Sequence, residues 1–162
     1  MSVSRRPGDV SRDPSRPPQA VADRWGNLLE DARATAAEYR EDGWETLVVH
    51  TAEVGVLAGE RFGLDVVAPD NEFDDLRALA DRATFGESRV FRAEASGVRF
   101  LLVVAEATAT RNAVLVPVYL PVDNAGPLRE RAREEGAMYT HVRTIADRER
   151  VTVGHEDPGP FF

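Results

Sequence analysis

Residues Ser88–Leu120 read SRVFRAEASGVRFLLVVAEATATRNAVLVPVYL, and from Ser88 onward the side-chain pattern has period two. Three successive antiparallel strands are predicted there: Ser88 to Ala95, Val98 to Ala107 and Ala113 to Leu120. The first turn is a tight Ser96-Gly97 hairpin, because glycine adopts the positive φ that a two-residue turn needs. The second and third strands carry FLLVVA and AVLVPVYL, apolar at both parities, so both faces of their sheet are expected to be covered. Pro117 has no N–H for a ladder, which predicts an edge or a bulge at that point.

Upstream of this meander, Val21, Trp25, Leu28, Ala32, Ala36 and Tyr39 recur every three or four residues and predict an amphipathic helix ended by Gly43 in a left-handed cap. Trp44 to His50 reads as a strand. Thr51 is expected to cap a short helix carrying Val54, Leu57 and Ala58, with Gly55 and Gly59 on one face. Leu64 to Ala68 reads as a strand stopped by Pro69. Asp70 to Asp75 opens a further helix with its acids in the first turn, Phe73, Leu76, Leu79, Ala80 and Ala83 on its buried face, and Gly86 at its end. Downstream, Asp123 or Asn124 is expected to cap an outer helix, Pro127 to Glu135. Met138 to Ile145 and Arg150 to Gly154 then form a second hairpin. The predicted class is α+β: a mainly antiparallel sheet, built from the three-strand meander and the C-terminal hairpin, packed by three to four helices.

The chain has 162 residues with 20 basic and 28 acidic side chains, a net charge of -8 and a pI near 4.9. Residues 1–19 hold four prolines and four arginines against two aspartates, with almost nothing apolar to bury. They read as a disordered tail, leaving residues 20–162 as one domain. Every basic residue is arginine and there is no cysteine. Lysine-dependent chemistry, thiol nucleophiles, disulfides and zinc knuckles are thereby excluded. The lysine-free, carboxylate-rich composition fits a salt-in halophile, whose surplus carboxylates keep a protein soluble while salt screens their repulsion. No apolar run approaches the length of a membrane span, and the N-terminus shows no apolar run of the signal-peptide kind, so the expected address is cytoplasmic.

Catalytic signals are sparse. The predicted folded part has two serines, Ser88 and Ser96, and neither sits in a nucleophile elbow. His50, His141 and His155 lie on three separate elements without metal-binding spacing, and His155 reads as part of a solvated tail. The acids of Asp70–Asp75 lack the order of a calcium loop and are explained by the helix dipole. Gly55, Gly59 and Gly63 do not form a phosphate loop, and no cofactor is expected. Between Leu128 and Arg150 six arginines face five acids, which disfavours nucleic acid as a partner. The one polar group worth testing is His50, Glu53, His141 and Arg143, as the core of a small-ligand or metal-dependent site. The apolar end Pro158, Pro160, Phe161 and Phe162 must dock on its own body or on a neighbour. The leading expectation is a non-enzymatic protein-interaction domain, possible as a homodimer, with the ligand site as the alternative.

The segments EYREDGWETL (38–47), FGLDVVAPDNEF (62–73), FRAEASGVRFLLVVAE (91–106), AVLVPVYL (113–120), MYTHVR (138–143) and HEDPGPFF (155–162) resemble the ordered landmarks of a small haloarchaeal family of unknown function. The resemblance runs from about Trp25 to Phe162. It implies a halophilic, cytoplasmic protein and makes the Asp-Pro-x-Pro-Phe-Phe end a family feature. It implies no activity, cofactor or catalytic residue.

Overall fold

A computed structural model describes residues 19–162, and the reading of the N-terminal arm lies outside the described residues except at Gln19. The elements follow in the order α1 (Gln19–Glu41), β1 (Glu45–Val48), β2 (Glu53–Ala58), β3 (Phe62–Val67), α2 (Asp70–Arg82), β4 (Glu87–Ala95), β5 (Val98–Ala107), β6 (Asn112–Pro121), α3 (Gly126–Glu135), β7 (Met138–Arg143) and β8 (Arg150–His155). Short 3-10 turns occupy Val122–Asn124 and Gly159–Phe161.

The class is α+β, but the sheets are mixed rather than one antiparallel sheet. One has the order β1-β6-β5-β4 and the other β2-β3-β7-β8. The meander and the C-terminal hairpin therefore belong to different sheets, each completed by one parallel pair, β1 with β6 and β3 with β7. A parallel pair needs a long connection, so no local signal discloses it. The β4–β5 hairpin turns through Ser96 (φ 53°) and Gly97 (φ 75°), the mirror-image turn that matches strand twist.

The double-sided apolarity of β5 and β6 is explained by three layers. Leu101, Val103, Val114, Val116, Val118 and Leu120 face the second sheet's Leu64, Val66, Val142 and Val151 in the main core, joined by Phe73, Leu76 and Leu79 of α2 and Leu128 and Ala132 of α3. The opposite parity, Phe100, Leu102, Val104, Ala113 and Leu115, lies under Val21, Leu28, Ala32 and Ala36 of α1, with Trp25 and Tyr39 at its margin. That is the stripe predicted for α1, and each fully buried Val or Leu in it contributes roughly 1.5–3 kcal/mol. Tyr39 donates to the buried Glu106 carboxylate. Burial first, then that bond and the charge of Glu106, push the Tyr39 phenol up to about 12.

Several local expectations are corrected. The segment after Thr51 is strand β2, not a helix: Val54 and Val56 alternate with Glu53 and Gly55, and β3 supplies an antiparallel partner. Gly55 and Gly59 therefore share no helix face. The chain leaves α2 at Arg82, with Ala83 extended, well before Gly86. Asp123 and Asn124 lie in a 3-10 turn and give α3 no side-chain cap, while Gly136 (φ 66°) closes it.

Pro117 sits on a strand that is interior over only half its length. Val49 donates to the Leu115 carbonyl at 2.9 Å, and the next rung of that parallel ladder would need an N–H from residue 117. The ladder stops there, so β6 is paired on both sides before Pro117 and on one side after it.

Candidate functional site

Strand alternation gives the second sheet a core face and an outer face. Val54, Leu64, Val142 and Val151 go inward, while Glu53 and Gly55 on β2, Asp65 on β3, Tyr139, His141 and Arg143 on β7, and Thr152 on β8 share the outer parity. Two cross-strand rows result, Glu53–Val67–Arg143–Arg150 and Gly55–Asp65–His141–Thr152. Between them Arg143 Nε donates to both Asp65 oxygens, at 3.1 and 3.2 Å, with the two side chains only 19% and 13% exposed. Hydrogen bonding to Asp65 comes first among the causes that raise the Arg143 pKa, and the Asp147 and Glu53 charges add to it. Arg143 Nη1 donates to the Thr144 carbonyl at 3.1 Å, which leaves Nη2 without a partner among the described residues.

Beside this pair lies a cavity of about 320 Å³ lined by Thr51, Glu53, Gly55, Asp65 and Arg143, with Tyr119 and Pro121 of β6 closing the far side. The space follows from the interrupted ladder: past Pro117 no strand among the described residues pairs with that side of β6, and Thr51 leads into β2 beside it. Gly55 contributes no side chain next to Asp65. The Thr51 hydroxyl is buried without a hydrogen-bond partner, and Glu53 is exposed and outside any ion pair among the described residues.

His141 is adjacent but committed. Its Nε2 lies 2.8 Å from the Phe62 carbonyl, which can only accept, so Nε2 carries the proton. In the neutral ring Nδ1 then accepts from Thr152 Oγ1 at 2.9 Å. Burial, the leading cause, lowers its pKa and favours this neutral state. His50 is turned elsewhere: its Nδ1 and backbone N–H both meet Glu72 on α2, each at 2.6 Å. The four residues read as one group therefore divide. Glu53 and Arg143 meet at the cavity, His141 braces the floor beside it, and His50 clamps the β1–β2 turn to α2.

Of the C-terminal residues Pro158, Pro160, Phe161 and Phe162, Phe161 is buried in the body, Pro158 and Phe162 are partly buried and Pro160 is exposed. Phe161 is 2% exposed, and its carbonyl accepts from Arg99 Nη1 at 3.3 Å. Its ring lies 4.9 Å from that of His155. His155 is no part of a solvated tail: it ends β8, is buried, and bonds Ser88 Oγ through Nδ1 at 2.6 Å and Thr140 Oγ1 through Nε2 at 2.9 Å. This link between the two sheets borders a second cavity of about 420 Å³, with Glu87, Glu156 and Asp157 at its rim.

Burial drives the His155 pKa down to about 4. The unfolded chain, near 6.5, takes up the proton first as pH falls. Stability is therefore full above pH 6.5, declines towards pH 4 and then levels off, a loss of roughly 2–4 kcal/mol from this group. Denaturant titrations between pH 4 and 7 check it: His155→Gln should flatten the slope, with the smaller share of His141 remaining, and an unchanged slope would refute the assignment.

Among the described residues no three His, Asp or Glu side chains converge as a metal site, and no helix is long and apolar enough to cross a membrane. No curated protein and no solved structure matches the chain. A family of unknown function, DUF7529, matches residues 12–162, and the chain belongs to that family.

Proposed function

We propose that the protein is a small-molecule-binding domain whose ligand occupies the cavity beside Asp65 and Arg143 and carries an ammonium group. The observation that supports the reading is the meeting of Glu53 and Arg143, named from the sequence alone, around one cavity with Asp65 and the unpartnered Thr51 hydroxyl. Asp65 neutralises Arg143, so Glu53 leaves the site one negative charge in excess. A compact organic cation answers that charge, and Arg143 Nη2 remains to donate to an acceptor atom on it. The self-docked C-terminus weakens the competing reading of an exposed interaction tail.

Calorimetric titration with putrescine and L-ornithine, against L-glutamate as the anionic control, tests this. The two amines should bind and glutamate should not, and Glu53→Gln should weaken binding by about tenfold or more, the effect of losing a charged hydrogen bond. Heat from none of the three, or amine binding indifferent to Glu53→Gln, would remove the proposal.

We read the acidic, lysine-free composition as adaptation to molar salt in a haloarchaeal cytoplasm. Molar KCl should then raise the denaturant midpoint, and an unchanged midpoint would contradict the halophilic reading.

A further inference from the structure

We infer that two copies of this chain associate through strand β4, pairing antiparallel about a twofold axis at Ala93 so that the two four-stranded sheets become one of eight. β4 is the terminal strand of its sheet, nine residues long, with only β5 beside it among the described residues. The two-residue turn makes Ala95 and Val98 a hydrogen-bonded pair, and alternation extends that role to Ala93, Phe91, Arg89 and Glu87. The backbone N–H and C=O groups of Ser88, Val90, Arg92 and Glu94 therefore point along the open edge. Such an edge is a template for another strand.

Charge complementarity favours a second copy and one register. A twofold axis perpendicular to the sheet must pass midway between one residue of the strand and its own counterpart. Axes at Arg89, Arg92 or Glu94 set like charges face to face. The axis at Ala93 sets Arg92 opposite Glu94 of the second copy, twice. Both groups are available for it: Arg92 is exposed and has no partner among the described residues. Arg99 engages Glu94 through Oε1, at 2.9 and 3.0 Å, leaving Oε2 without a partner among the described residues. On the other face Phe91, 51% exposed, would lie across the small side chain of Ala95 of the second copy and towards the groove between α1 and β4. Ala93 at the axis lets the backbones approach.

The absence of cysteine makes the test clean. At this axis residue 93 faces its counterpart as a non-hydrogen-bonded pair, with Cα atoms about 4.5 Å apart, within disulfide range. Full-length Ala93→Cys should form a disulfide-linked dimer under mild oxidation, while Phe91→Cys should not. Light scattering should give twice the chain mass for the unmodified protein and a reduced dimer fraction for Arg92→Glu. A monomer at every concentration, or cross-linking through Phe91→Cys in preference to Ala93→Cys, would overturn the inference.

Discussion

Alanine in place of Gly63 will cost more than about 4 kcal/mol or prevent folding. Gly63 adopts φ +131°, where side chains are rarely tolerated, and a Cβ there would lie 2.2 Å from the Tyr139 carbonyl oxygen and 2.9 Å from its carbon. Both obstacles are backbone atoms on β7, so no rotamer change relieves them. The approach occurs where the parallel β3–β7 pairing begins, next to the Phe62 carbonyl that accepts from His141. Gly63→Ala should therefore separate β3 from β7 and release His141, and the loss should exceed that of Gly86→Ala, whose added Cβ meets nothing within 4 Å. Equilibrium unfolding of the two variants decides it: equal stability would mean that the close approach is not a feature of the folded protein.

Phe161→Ala should cost about 3–5 kcal/mol, the range for removing a buried aromatic ring. The ring is 2% exposed, packs on His155 and belongs to the main core, although it stands one residue from the end of the chain. Chain ends are normally where a core is least dependent on its residues. Here the 3-10 turn over Gly159–Phe161, held by Gly159 N–H to Asp157 Oδ1 at 2.9 Å, directs the ring inward. The Arg99–Phe161 bond then fixes the last turn to β5. Phe162→Ala, at a partly buried ring, should cost less. Denaturant midpoints of the two variants measure the difference, and a Phe161→Ala midpoint equal to that of the unmodified protein would contradict the docked C-terminus.

How much of this was legible in the sequence depended on the range of the interaction. The α1 stripe and the β4–β5–β6 meander were readable because each rests on spacing of a few residues and on Ser96-Gly97. Segment 53–58 looks locally like a helix, because Thr51 and Gly59 resemble helix boundaries and Val54 and Leu57 fit helical spacing. Strand β3, which settles the matter, lies beyond that window. Both parallel pairs were invisible for the same reason. At the site, residue type singles out Glu53 and Arg143, whereas the signal of Asp65 is subtler: it is the lone charge in LDVVA, and outward parity makes it a neighbour of β7. The Ser88–His155 contact joins residues 67 apart, and nothing in the acidic, glycine-flanked end of the chain suggested a buried histidine.

Residue-resolved NMR of the ¹⁵N-labelled protein titrated with putrescine tests ligand binding at the outer face of the second sheet most directly. Saturable shifts should concentrate at Thr51, Glu53, Gly55, Asp65 and Arg143, which line that cavity. Resonances that stay fixed, or that move instead around Ser88 and His155, would contradict it.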